Sequence, residues 1–283
     1  MAPRETIAAA IQAAARQGRP ALVGFLTAGF PTRLGFKDNL AAVAGVCDVV
    51  EIGVPFSDPM ADGTTIQRAS FVALTDGVTL PWILEELQSL KERLTAPVLL
   101  MSYLNPLLSF GLEALPRAAA AAGVAGFIVP DLPFEESDDL RRALDLEGLA
   151  LVQMVTPVTP PERLAMLCRG AQGFVYAVTM TGTTGAPKAP TAGVPAEVLE
   201  YMDRVKRCSS VPVCAGFGIR SRQQVASFAG HVDGVVVGSA LIDALKQSLD
   251  GDMKATQSSV KAVTDLVAGL AEGVRGARRV AAE

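Results

Sequence analysis

Val49-Val50-Glu51-Ile52-Gly53-Val54-Pro55-Phe56-Ser57-Asp58-Pro59-Met60-Ala61-Asp62-Gly63 begins as an apolar strand carrying one carboxylate and ends as a long, turn-rich loop. The strand part does not alternate polar with apolar residues, which predicts burial on both faces, as in a parallel sheet covered by helices. Seven other runs read the same way, namely Ala21 to Thr27, Val98 to Tyr103, Gly126 to Val129, Leu149 to Val155, Gly173 to Val178, Val211 to Ala215 and Gly234 to Val237, and the run quoted first extends back to Cys47. Between the runs lie segments with helical spacing. In Leu80 to Leu94 the apolar residues Ile83, Leu84, Leu87, Leu90 and Leu94 recur largely at three and four, with Pro81 near the start. Glu113 to Ala122, Glu135 to Leu144, Pro160 to Leu167, Pro195 to Val205 and Ser221 to Phe228 behave alike, several opening on Pro or Ser with an acidic residue or Gln in the first turn.

Eight strands alternating with helices predict an α/β fold, a single (β/α)8 TIM barrel with extra helices. An open doubly wound sheet also alternates strands and helices, but the G-x-G-x-x-G that would follow its first strand is absent here. The length of 283 residues admits one barrel or two smaller domains. No linker or composition break divides the chain, so one domain over residues 1–283 is expected, with a C-terminal tail from about 274 that frays.

Composition narrows the partners. At 50% hydrophobic and 19% charged, the chain is neither disordered nor a coiled coil. A net charge of −4 offers no basic field for nucleic acid or an anionic membrane, so any phosphate must be held by a local device. Cys47, Cys168, Cys208 and Cys214 are scattered, and no secretory signal opens the chain. Both features predict a reducing, cytoplasmic setting and no thiolate metal site. Leu94 to Leu112 is uncharged and about as long as a membrane span, but Asn105-Pro106 interrupts it; a buried strand followed by a loop is the expectation.

In such barrels the loops after the strands carry the site. Glu51 sits in an apolar strand where it should leave the barrel. Burial there raises a carboxyl pKa and suits a general acid or base, although a rim ion pair with Lys or Arg would place a glutamate in the same position. Asp62 lies in Met60-Ala61-Asp62-Gly63 and by itself reads as an ordinary turn aspartate. The loop as a whole is the unusual part, with two prolines, two glycines and two aspartates where a tight turn would suffice. After the sixth strand, Thr179 to Gly193 is rich in glycine and threonine, either a closing lid or an unstructured connection. Ala215-Gly216-Phe217-Gly218-Ile219 and Val237-Gly238-Ser239-Ala240 end consecutive strands, where amides and a helix start can hold a phosphate.

Taken together, Phe25-Leu26-Thr27-Ala28-Gly29, Glu51 to Gly63, Pro130-Asp131-Leu132-Pro133, Gly173-Phe174-Val175-Tyr176, Gly216-Phe217-Gly218-Ile219 and Gly238-Ser239 resemble, in order and over nearly the whole chain, the tryptophan synthase alpha subunit. The second-strand motif is highly specific to that family, whereas the glycine motifs alone indicate only phosphate-binding barrels. The resemblance implies retro-aldol cleavage of indole-3-glycerol phosphate to indole and glyceraldehyde 3-phosphate, with no metal and no organic cofactor on this chain. It implies Glu51 as the acid–base residue and Asp62 as the carboxylate that holds the indole N–H. It places Tyr176 beside the indole, and Phe25 and Asp131 in the pocket. Gly185, Gly218, Gly238 and Ser239 fall at the phosphate, with Phe217 beside them, and Thr184 supplies the hydroxyl expected to meet Asp62. The partner it implies is a pyridoxal-phosphate beta subunit in an alpha2beta2 complex. Two departures stand out: Thr64 where the family has proline, and Gly182-Thr183-Thr184-Gly185 followed by Ala186-Pro187-Lys188-Ala189-Pro190. A stand-alone indole-releasing lyase and a catalytically weak regulatory subunit are the alternative expectations. Another phosphate-sugar enzyme is disfavoured, because no strand end carries a Schiff-base lysine.

Overall fold

The computed structural model describes residues 1–179, 194–216, 218–249, 260–262 and 264–270. Thr184, Gly185, Phe217, most of the loop after the sixth strand, and the tail from 274 lie outside the described residues. Eight parallel strands close on one another in sequence order: β1 Ala21–Thr27, β2 Val49–Gly53, β3 Val98–Met101, β4 Val124–Ile128, β5 Ala150–Val155, β6 Val175–Val178, β7 Val213–Gly216 and β8 Gly234–Val237. β8 pairs with β1 through Ala21 opposite Gly234, which closes the barrel and excludes the open sheet.

The side chains divide as strand parity requires. One set, including Val23, Val49, Leu99, Ala150, Val152, Phe174, Cys214 and Val236, fills the barrel interior. The other faces the surrounding helices in a second, larger apolar cluster. Because every strand is covered on both sides, the strands read as apolar runs, as expected. The interior is plugged at one end by the helix Pro3–Arg16, whose Ile7, Ile11 and Ala14 are fully buried and belong to the interior cluster.

The extra helices lie where the sequence has length to spare. Thr64–Thr75 and Leu80–Leu90 both fall between β2 and β3. Leu104–Phe110 and Leu115–Ala121 both fall between β3 and β4. The first of the latter pair corrects the expectation of a loop after the third strand: the chain is helical from Leu104. Pro106 sits in its first turn, where a missing N–H costs nothing, so Asn105-Pro106 begins a helix and does not break one. Tyr103 provides no side-chain cap; the Leu104 N–H instead donates to Asp131 at the end of β4, at 3.0 Å to Oδ1. His231 lies in the turn before β8, with its Nδ1 2.9 Å from Asp203 Oδ1. Cys47, Cys168 and Cys214 are buried, Cys208 is exposed, and all four are free thiols. Among the described residues, no helix is long and apolar enough to cross a membrane, and no group of three His, Cys, Asp or Glu is placed to hold a metal.

Candidate active site

β2 carries Glu51 directly beside Phe25 of β1 and Leu99 of β3, with its side chain on the interior face. Only 1% of Glu51 is exposed, and among the described residues its Oε2 has no hydrogen-bond partner. The sequence left a rim ion pair open as the reason for this glutamate. Among the described residues no Lys or Arg pairs with Glu51, which is desolvated. Burial, reinforced by the nearby charge of Asp62, pushes its carboxyl up to about 8. A carboxyl in that range is protonated at neutral pH and can both give and take a proton there.

The long loop after β2 returns Asp62 to the same place. Its N–H donates to the Pro59 carbonyl at 3.1 Å, and its carbonyl accepts from Gln67 Nε2 at 2.9 Å, which folds the loop end onto the helix Thr64–Thr75. Asp62 is 6% exposed, and burial raises its carboxyl to about 7; a hydrogen bond from the Tyr103 hydroxyl opposes the rise. The two carboxyls are therefore both raised, with Asp62 the readier to ionise. Thr64, the departure from the family's proline, is the first helical residue. That position has no intrahelical N–H partner, so proline and threonine are both accommodated.

Phe25, Glu51, Asp62, Tyr176, Gly218, Gly238 and Ser239 line one cavity at the C-terminal end of the strands. Seven residues expected at the site thus meet in three dimensions, although they span more than 200 positions of the chain. Tyr176 is buried, and its hydroxyl pKa is raised well above the ordinary value by desolvation and by Glu51. Its ring lies over the end of β7: a Cβ on Gly216 would fall 2.3 Å from Tyr176 Oη. Gly216 is thus a glycine first to admit this ring, whereas the sequence suggested only close approach to a ligand. Gly53 plays the same part for Phe25, whose Cζ would lie 2.6 Å from a Cβ there. Gly218 adopts φ +77°, a conformation that side chains with a Cβ disfavour. The helix Ser239–Gln247 starts at the cavity wall, with its positive end available to an anion.

Asp131 stands apart. It is exposed, lines a neighbouring cavity with Ala61, Val129 and Met154, and spends its carboxylate on the Leu104 N–H. Sequence reading missed Tyr103. Its hydroxyl accepts the Ala61 N–H at 2.9 Å, bonds to Asp62, and its ring stacks on Phe56 with 5.3 Å between centroids, so it ties down both arms of the loop. The signal was there, since an aromatic hydroxyl ended the third strand run. Ile66, Met101, Val236 and Arg220 also line the cavity without having been singled out.

Known proteins match this arrangement. The family model described as "Tryptophan synthase alpha chain" matches residues 11–271. A tryptophan synthase alpha chain of Solidesulfovibrio magneticus is 49% identical over 237 residues, covering 83% of this chain and 91% of the relative. One from Nitratidesulfovibrio vulgaris is 46% identical over 233 residues, covering 82% and 89%. Among solved structures, a tryptophan synthase from M. tuberculosis in an aminoacrylate-bound form superposes with a TM-score of 0.82 at 34% identity, over 95% of this chain and 99% of that one. The alpha subunit of Legionella pneumophila gives a TM-score of 0.84 at 29% identity, over 98% and 99%. A further match is to the tryptophan synthase a2b2 complex of Pyrococcus furiosus, with a TM-score of 0.80 at 32% identity, over 90% and 99%. The family match over residues 11–271, the curated relatives and the barrel superposition agree, and the chain belongs to the tryptophan synthase alpha chain family.

Proposed function

We propose that this chain cleaves indole-3-glycerol phosphate to indole and glyceraldehyde 3-phosphate, as the alpha subunit of an alpha2beta2 tryptophan synthase in the cytoplasm, with residues 1–283 forming one domain. The observation that carries this reading is the pair Glu51 and Asp62, two desolvated carboxyls on one cavity wall beside two aromatic side chains. Breaking a carbon–carbon bond next to an indole requires a proton on ring carbon C3, stabilisation of the resulting cation, and removal of a hydroxyl proton. Glu51, protonated at neutral pH, gives the first proton to C3. Asp62 ionises more readily; its carboxylate receives the indole N–H and offsets the positive charge of the indolenine. The Glu51 carboxylate then takes the glycerol hydroxyl proton as the C–C bonding electrons return to the ring, releasing indole and leaving an aldehyde. Glu51 ends as it began, so one group serves both transfers.

Phe25 and Tyr176 flank the indole, and Gly218, Gly238 and Ser239 receive the phosphate at the opposite end, with Gly185 and Phe217 assigned there, and Thr184 assigned to Asp62, by family resemblance. Asp131 acts by holding the start of the neighbouring helix. The pyridoxal phosphate belongs to the beta partner, which consumes the indole. The test is to incubate the purified chain with indole-3-glycerol phosphate, alone and with a beta subunit, and to follow indole and tryptophan. Turnover stimulated by the beta subunit is expected. Full activity alone without stimulation identifies a stand-alone lyase, and no product in either condition refutes the lyase reading.

A further inference from the structure

The phosphate end of the cavity, read above as glycine amides and a helix start, also has a cation on its wall. Arg220 lines the cavity with Gly218, Gly238 and Ser239, and is the one Lys or Arg among the described lining residues; the two carboxyls there are Glu51 and Asp62. Its backbone is fixed. The N–H groups of Arg220 and Ser221 both donate to Gln224 Oε1, at 2.9 and 3.1 Å, while Gln224 Nε2 donates to the Gly218 carbonyl at 3.4 Å. The turn presenting the guanidinium is thereby stapled to the residue that opens the phosphate site.

The side chain is held at its far end. Nη1 donates to Asp243 Oδ2 at 2.7 Å, and the other oxygen of Asp243 accepts from Thr65 Oγ1 at 3.3 Å. The Arg220 side chain remains 43% exposed, so it is reachable from solvent. A guanidinium offers five N–H donors in a planar fork, and one bond to Asp243 leaves most of that fork for a second anion.

We propose that Arg220 is a phosphate-recognition residue of this chain, bridging Asp243 and an outer oxygen of the substrate phosphate and adding a charge-assisted contact to the backbone amides. The proposal rests on the reading of the cavity as a site for a phosphate ester. Asp243 sets the reach of the guanidinium, and Thr65, three residues after Asp62, holds Asp243 in turn. The contact acts mainly on binding, because it lies at the phosphate end, away from the bond that breaks.

Arg220→Gln and Arg220→Lys are compared with the wild type for steady-state cleavage of indole-3-glycerol phosphate with the beta subunit present. Inorganic phosphate is titrated into each by calorimetry, and thermal melts check the fold. Arg220→Gln is expected to raise both KM and the phosphate Kd about 5- to 20-fold, the loss falling on KM rather than kcat, with partial recovery in Arg220→Lys. Wild-type KM should also rise with salt more steeply than that of Arg220→Gln. An unchanged phosphate Kd in Arg220→Gln overturns the proposal, as does an equal loss toward dephosphorylated indole-3-glycerol, which identifies a merely structural ion pair. A wild-type chain that binds phosphate through Arg220 yet cleaves nothing refutes the lyase reading and leaves this one standing.

Discussion

Glu51 is the residue whose burial works against folding. Its pKa in the folded chain, about 8, lies above the 4.5 of an exposed glutamate, so the folded state binds the proton more tightly than the unfolded state. The sign follows: the buried carboxyl costs nothing below the unfolded pKa, and its cost grows as pH rises from about 4.5 to about 8. Removing that charge should therefore stabilise the protein where it is inactivated. Glu51→Gln is expected to lower kcat by at least about 100-fold and to raise unfolding free energy near pH 8 by up to about 5 kcal/mol. The gain should shrink to nothing near pH 4. Urea melts across that range check it, and a glutamine variant less stable at pH 8 than the wild type refutes an uncompensated buried charge. Asp62→Asn is expected to lose activity on a similar scale with the fold retained, checked by turnover and circular dichroism together. The sequence showed Glu51 as an odd charge in an apolar strand, but its two explanations could be separated only by seeing that none of the described cations pairs with it.

At the scale of elements, the strand ends decide where the aromatic walls stand. Strand β6 aims Tyr176 across β7, and the crossing is possible because position 216 has no Cβ. Gly216→Ala should push the ring out of the cavity. An expected outcome is a loss of about 10-fold or more in kcat/KM with destabilisation of about 1–3 kcal/mol, measured by kinetics and urea melts; wild-type kinetics would remove the steric role given to this glycine. The elements themselves were largely legible. β1 and β8 match their predicted bounds, because their apolar runs end abruptly at turn residues. The helix Leu104–Phe110 was not legible: its cap comes from Asp131, 27 residues away, and a distant cap leaves no local pattern. For the same reason Asp131, which family resemblance assigns to the pocket, is placed beside it with a structural task.

For the whole molecule, closure matters most. Eight short strands can close only if their common interior is filled, and the helix Pro3–Arg16 completes the filling from one end with Ile7 and Ile11. Ile11→Ala should cost about 2–5 kcal/mol in urea unfolding while leaving the pocket chemistry at the other end of the barrel intact; a cost below about 1 kcal/mol would mean the plug is dispensable. By itself the sequence determined the alternating architecture, the second-strand motif and the family, because apolar periodicity and a dense local motif are properties of the chain read in order. It also placed Glu51, Asp62, Tyr176 and the terminal glycines at strand ends, the positions that face one cavity once a barrel closes. Only the tertiary structure decided that none of the described cations pairs with Glu51, that Tyr103 holds both Ala61 and Asp62, that Gly216 yields room to a ring, and that Arg220 lines the cavity with Gly218, Gly238 and Ser239. Each of these depends on which side chains meet across the barrel mouth. Burial and pairing are properties of that meeting, and no single stretch of sequence contains both partners.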